Sequence, residues 1–273
     1  VPGNRFGDVR WLRSVDSTNR YLLDEARAGA PEGVVAVADH QEAGRGRLGR
    51  RWEAPPGANL LCSILLRPDL PVGSRHLLST VVALAAADAC QAVAGVTPVF
   101  KWPNDLLAVD GRKLAGVLAE ADATGQPGLP APVVVGIGVN VAWPGSDADL
   151  PAELVGRATS LCQEADRLVE REPLLAHLLA ALEPRVAALG RAAGRSAQAD
   201  ELRRRCATVG ARVRVQLATG SFDGTATGVT DEGHLVVATP SGTRTVVAGD
   251  VVHLRATEER DPLSGPSGRL ASE

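Results

Sequence analysis

Polar and apolar residues alternate along Val9-Arg-Trp-Leu-Arg-Ser-Val15, a period of two that predicts a first strand. The polar turn Asp16-Ser-Thr-Asn19 follows. Tyr21, Leu22, Leu23 and Ala26 then recur at helical spacing, predicting a helix capped by Asp16 or Ser17 and ending near Gly29. Val34–Ala38 reads as a buried strand, and Leu60–Leu66 as another after the Pro55-Pro-Gly57 turn. Residues 75–94 form an Ala-rich helix pattern that fits packing across a sheet. A short strand, Val99–Lys101, precedes the turn Trp102-Pro-Asn-Asp105, and extension resumes over Leu106–Val109. Asp110-Gly111 turns the chain into a strand over Lys113–Glu120. After a Gly/Pro-rich loop over 123–132, Val133–Val141 reads as a central strand whose Gly136 and Gly138 admit a close neighbour. Two helices are predicted at 172–192, kinked by Pro184, and at 196–206.

From Val209 the texture changes to short alternating strands at 212–217, 221–229, 235–238 and 243–254, the pattern of a small barrel. The pattern therefore predicts an α/β fold with a mixed central sheet flanked by helices over residues 1–207. A β unit over 208–256 and a polar, disordered tail over 257–273 complete the division.

Composition narrows the function. Apolar residues make up 45% of the 273, enough for a sizeable core, but aromatics are 3%, so that core is built from Ala, Val and Leu. A net charge of −3 argues against a nucleic-acid binder. No apolar run reaches membrane-spanning length without a charge or breaker; residues 76–94 come closest, and Asp88 and Gln91 fit a core helix better. The four cysteines lie far apart with no Cys-x-x-Cys pair, which fits reduced thiols and a cytoplasmic location. Of the 29 basic residues only Lys101 and Lys113 are lysines. Two readings stand at this point: survivors of a compositional bias, or positions that need a compact ammonium.

Residues 41–52, Gln-Glu-Ala-Gly-Arg-Gly-Arg-Leu-Gly-Arg-Arg-Trp, carry four arginines and three glycines and almost nothing apolar. Glycine permits close backbone approach and arginine supplies a fixed charge with a planar fork, a combination suited to closing over an anion. Gly44–Gly49 matches the dinucleotide fingerprint in form, but a Pro-Pro-Gly turn follows where a helix must open, so that reading is rejected. A kinase glycine loop fails for want of its catalytic-loop motifs. An RNA-binding loop would call for stacking aromatics, and only Trp52 is at hand.

Five blocks together carry a resemblance: Asp16-Ser-Thr-Asn19, Gln41 with Gly-Arg-Gly-Arg-x-Gly-Arg over 44–50, Lys-Trp-Pro-Asn-Asp over 101–105, Arg-Lys-Leu-Ala-Gly over 112–116, and Gly-x-Gly-x-Asn over 136–140. In this order and spacing they resemble the biotin protein ligases, and residues 209–255 are similar to that family's SH3-like barrel. Both lysines fall inside the blocks. The resemblance implies a class II aminoacyl-tRNA-synthetase-like ligase domain that joins biotin to AMP from MgATP with release of pyrophosphate. It then passes biotin to a lysine of a biotin carboxyl carrier domain of an acyl-CoA carboxylase. Implied catalytic residues are Lys113, Arg47 and Lys101, although an ion pair to Asp105 is an alternative role for Lys101. Implied biotin contacts are Ser17, Thr18, Asn19, Gln41, Arg45, Gly46, Arg47, Lys113 and Gly116. Implied adenylate contacts are Arg45, Arg47, Trp52, Asn104, Lys113 and Asn140.

The chemistry asks for these residue types. Two anions meet in the first step, so fixed cations must offset their repulsion, and a neutral ureido ring suits hydroxyl and amide partners. Magnesium enters with ATP, no protein ligand is assigned to it, and no tightly bound cofactor is expected. Many members of the family carry an N-terminal helix-turn-helix. Only eight residues precede the first strand here and the charge is acidic, so no DNA binding is expected. The alternatives are a lipoate ligase, which shares the chemistry but favours a Ser-Gly-Gly-Gly type of loop, and a non-catalytic basic-loop nucleic-acid-binding module.

Overall fold

The computed structural model describes residues 5–122, 130–152, 154–247 and 249–254. In chain order the larger unit comprises β1 (Val9–Val15), α1 (Thr18–Arg27), β2 (Val35–Gln41), β3 (Leu60–Leu66), α2 (Leu77–Ala94), β4 (Val99–Lys101), β5 (Asp105–Leu107), β6 (Lys113–Ala121), β7 (Val133–Val139), α3 (Leu161–Ala165), α4 (Arg171–Leu189) and α5 (Ala192–Arg205). Its seven-stranded mixed sheet has the order β1-β2-β3-β7-β6-β5-β4, with only the β1–β2 pair parallel.

Period-two patterning sorts this sheet into two faces. Leu60, Cys62, Ile64 and Leu66 of β3 share a core with α2, while Leu65 of the same strand joins Val134, Leu22 and Ala26 under α1. A strand buried on both sides reads as a continuous apolar run, as Leu-Leu-Cys-Ser-Ile-Leu-Leu does. By length and composition α2 could cross a membrane. Here it is packed between the sheet and α4, with Leu77, Leu78, Val81 and Val82 fully buried.

The smaller unit holds β8 (Arg212–Leu217), β9 (Gly220–Val229), β10 (Leu235–Thr239), β11 (Gly242–Val246) and β12 (Asp250–His253), in the order β11-β10-β9-β8-β12, all antiparallel. The single strand expected over 243–254 is thus two. The chain leaves β10 after Val246 and crosses to pair with β8 from Asp250. At Gly249 a Cβ would stand 3.0 Å from the Gln216 carbonyl oxygen, so a side chain there would need its neighbour to give by a few tenths of an ångström. Ser17 does occupy the N-cap of α1 in extended conformation, but its side chain makes no capping bond. The short helix α3 was not foreseen; Ser160 caps it by accepting from the Gln163 N–H. Pro184 lies inside α4 as expected. The loop expected over 123–132 falls mostly, and the tail over 257–273 wholly, outside the described residues.

Two histidines join the units. His76, at the start of α2, stacks on His234 with centroids 4.6 Å apart. Burial, and then the neighbouring His234, push His76 down to about 4. The unfolded chain takes up this proton near pH 6.5 and the folded one does not, so stability falls as pH drops from about 6.5 towards 4. We expect wild type to lose about 1 kcal/mol between pH 7 and 5 relative to His76→Gln, a figure discounted for partial exposure. Urea unfolding at both pH values checks this, and equal slopes would contradict it.

Candidate functional site

Pairing sets Ala38, Leu61, Gly138, Gly116, Asp105 and Lys101 side by side across β2, β3, β7, β6, β5 and β4. Residues opposite one another in a sheet project from the same face. This row therefore runs from apolar side chains, over two bare glycines, to an acid and a base.

Trp52 fills the space the glycines leave. A Cβ on Gly138 would come within 2.5 Å of the indole Cε2, and one on Gly116 within 3.0 Å of Cζ3. The indole Nε1 is buried without a hydrogen-bond partner among the described residues, a cost of about 1–3 kcal/mol for a donor left unsatisfied. Gly138→Ala is expected to lose about 1–3 kcal/mol in urea unfolding, because the added methyl drives into the ring. Gly73→Ala, where no atom lies within 4 Å, should stay within about 0.5 kcal/mol of wild type. Equal stability of the two variants would contradict this packing.

Lys113 extends over the same floor, with Nζ 5.4 Å from the Trp52 ring centroid and 2.8 Å from Asp105 Oδ1. Asp105 Oδ1 has no partner at a hydrogen-bonding angle, so this contact is an ion pair by distance rather than a directed bond. The carboxylate weighed as a partner for Lys101 is thus taken by Lys113. Lys101 stands opposite Asp105 in register and makes no ion pair among the described residues.

The backbone of Lys113 is clamped on the other side. Its N–H donates to the Arg157 carbonyl at 2.8 Å, and its carbonyl accepts from the Thr159 N–H at 3.0 Å. Asn140 braces this junction. Its Nδ2 donates to the Thr159 carbonyl at 2.9 Å, and its Oδ1 accepts from Asn59 Nδ2 at 3.2 Å. Asn59, fully buried, also accepts from the N–H groups of Val141 and Trp143.

A second row, Ala36, Ser63, Gly136 and Leu118, lies beside the first. Asn19 Oδ1 sits over Gly136 where a Cβ would otherwise be. Ser63 Oγ lies 2.7 Å from Thr18 Oγ1 and 2.6 Å from Asn19 Oδ1, with one proton to give to either. Gln41 Oε1 accepts from the Thr18 N–H at 2.9 Å and from its hydroxyl at 3.1 Å. Asn19 Nδ2 donates to Glu120 Oε2 at 2.8 Å, and Glu120 also holds Arg45 at 3.1 Å. A continuous polar chain thus ties the start of α1 to the arginine loop. Ser17, also buried, donates its N–H to Asp16 at 2.6 Å. Ser63 and Glu120 escaped the sequence reading. The one signal for Ser63 is that it is the sole polar residue in an otherwise apolar strand.

The loop is a compact hairpin. The Trp52 N–H donates to the Gly44 carbonyl at 3.0 Å and the Gly46 N–H to that of Arg50 at 2.6 Å, with Leu48 and Gly49 both at positive φ. Arg47 Nη1 donates to Asn104 Oδ1 at 3.2 Å and Nη2 to the Gly249 carbonyl at 3.0 Å. Burial pushes the Arg47 guanidinium below its usual value, and the carboxylates of Asp250 and Asp105 pull it back up. It stays charged all the same. Arg50 pairs with Asp250 at 2.5 Å. A cavity of about 500 Å³ opens between residues 43–51, Leu118 and Glu120, within the range of small-molecule sites.

Such a site combines a glycine floor, covered in this structure by the Trp52 indole, with buried hydroxyl and amide groups at one end and two cations at the other. It suits a ligand that is neutral and polar at one end and anionic at the other. Residues 11–140 match the biotin/lipoate A/B protein ligase family, and residues 208–254 match the biotin protein ligase C terminal domain. The chain is 41% identical over 259 residues to a biotin–[acetyl-CoA-carboxylase] ligase of Mycobacterium tuberculosis, covering 93% of this chain and 91% of that one. It is 34% identical over 245 residues to the enzyme of the same name from Paracoccus denitrificans, covering 88% and 98%. Among solved structures, a biotin protein ligase from Aquifex aeolicus in complex with biotin and ATP superposes with a TM-score of 0.76 at 26% identity, covering 92% of this chain and all of that one.

Proposed function

The chain belongs to the biotin protein ligase family and is a ligase, and on that footing we propose that it biotinylates a carrier lysine in two steps at the glycine-floored slot. Biotin's carboxylate attacks the α-phosphate of MgATP, the bond to the pyrophosphate breaks, and biotinyl-5′-AMP remains. The amine of a biotin carboxyl carrier lysine then attacks the acyl carbon, the amide forms and AMP leaves. The observation that carries this reading is the placement of Lys113 and Trp52 together on the Gly116–Gly138 pair. Arg47 is held nearby through Asn104, whose Nδ2 donates to the β6 carbonyl of Val117. A bound complex of a relative with biotin and ATP supports the same substrates.

Lys113 supplies a point charge to the carboxylate and α-phosphate oxygens, Arg47 forks across the same centre, and Lys101 is a second cation for phosphate. Ser17, Thr18, Asn19 and Gln41 take the ureido ring, with Arg45 and Gly46 closing over it. Gly116 lets the ring lie against the strand once the Trp52 indole, which stands over that glycine in this structure, moves aside. The Trp52 ring offers a face for adenine. Asn140 is 5% exposed and its amide is committed to Thr159 and Asn59. It holds the Lys113 junction beside the adenylate contact that the family resemblance assigns to it.

The larger unit, residues 1–207, is read as the class II synthetase-like catalytic domain and 208–256 as the SH3-like barrel. Four unpaired cysteines fit a cytoplasmic setting. Incubation with biotin, ATP and an isolated carrier domain tests the transfer. One added biotin on a single carrier lysine is expected by mass spectrometry. Formation of the adenylate without transfer would overturn the carrier assignment.

A further inference from the structure

The arginine loop is gripped from the C-terminal unit, a feature the adenylation chemistry alone does not call for. Asp250 opens β12. Its side chain is 17% exposed and takes Arg50 at 2.5 Å, while the preceding carbonyl, that of Gly249, accepts from Arg47. Gly249 is pressed against β8, and the register of Asp250 with Gln216 fixes the strand. The far end of β12 is pinned as well. His253 Nε2 lies 2.9 Å from Thr208 Oγ1, which accepts from the Trp102 N–H at 3.0 Å, and Trp102 Nε1 donates to the Gly233 carbonyl at 3.0 Å. Trp102 lies two residues from Asn104, the other partner of Arg47. Arg47 is thus held between one group of each unit, and the Arg50 guanidinium is paired, among the described residues, with the smaller unit's Asp250.

We propose that Asp250, with the Gly249 carbonyl, is a latch that positions the arginine loop and thereby sets how long the acyl-adenylate stays bound. Asp250 is a positioning residue, because it acts through Arg47 and Arg50. The consequence for retention rests on the two-step ligase reading above. A carboxylate at this point also offsets the desolvation of Arg47, so its removal leaves a half-buried cation less compensated and the hairpin freer to open.

The test compares wild type with Asp250→Asn, Asp250→Glu, Arg50→Ala and the Arg50→Ala/Asp250→Asn double variant. Release of biotinyl-AMP is followed by rapid filtration, and amide hydrogen exchange of residues 44–52 is measured without substrates. Asp250→Asn should release the adenylate about five- to tenfold faster, the scale of one charge-assisted bond. Its loop should exchange faster while its melting temperature stays close to wild type. Asp250→Glu should recover part of the retention, and the double variant should be no worse than the more affected single one. Unchanged release and loop exchange in Asp250→Asn, or additive effects in the double variant, would overturn the latch. A wild type that forms no biotinyl-AMP would instead overturn the ligase reading, and loop exchange would still report on the latch.

Discussion

Lys113→Arg is expected to lower biotin-dependent pyrophosphate release by about 100-fold or more, the effect of losing one well-placed charge donor in a preorganised site. Charge is conserved, so the loss comes from shape. The Lys113 ammonium lies 2.8 Å from Asp105, and it would lie 3.2 Å from a Cβ on Gly116, beneath the Trp52 ring. A planar guanidinium is broader and binds by a fork, so at this point it displaces either the indole or the ligand atoms the ammonium serves. Of 29 basic residues, the chain keeps lysine at only two. The side chain is 35% exposed and the swap should leave the melting temperature near wild type. Near-normal pyrophosphate release by Lys113→Arg would sink the point-charge argument.

Arg47→Ala should form biotinyl-5′-AMP more slowly and fail to keep it. Arg47 is the one side chain of the loop that joins Asn104, next to the floor, to Gly249 in the smaller unit. Truncation removes two hydrogen bonds from a charged donor and a cation whose burial is offset by Asp250 and Asp105. We expect biotin affinity to fall and adenylate release to rise, each by about 10- to 100-fold. An acyl-adenylate open to water or to free amines is lost without transfer, which is the reason for a closing loop. Filtration of the enzyme–adenylate complex measures retention, and retention equal to wild type would contradict this role.

The elements of the fold were legible wherever periodicity was strong, as in the alternation over 9–15 and the apolar run over 60–66, both of which are strands in the structure. The glycines of β7 were legible as places for a close neighbour, and the neighbours are Asn19 and Trp52. Local pattern failed where a distant contact decides. The break between β11 and β12 is a change of partner, from Leu235 of β10 at Val246 to Gln216 of β8 at Asp250, and the alternation over 243–254 does not state that. The partner of Asp105 is Lys113 rather than Lys101, because an irregular register between β5 and β6 brings a third strand's lysine to the carboxylate. Ser63, Glu120 and Asp250 are single polar residues whose partners lie 44 or more positions away. Their roles come from strand pairing and from the seam between the two units.

The most direct measurement is exchange of labelled pyrophosphate into ATP with biotin or lipoate as the sole acid. The slot, with its Thr18, Asn19 and Gln41 groups at one end and Lys113 and Arg47 at the other, predicts exchange that depends on biotin and is absent with lipoate. Exchange driven by lipoate would assign the site to the other branch of the chemistry. Exchange with neither acid, from a folded protein, would contradict adenylation at this site altogether.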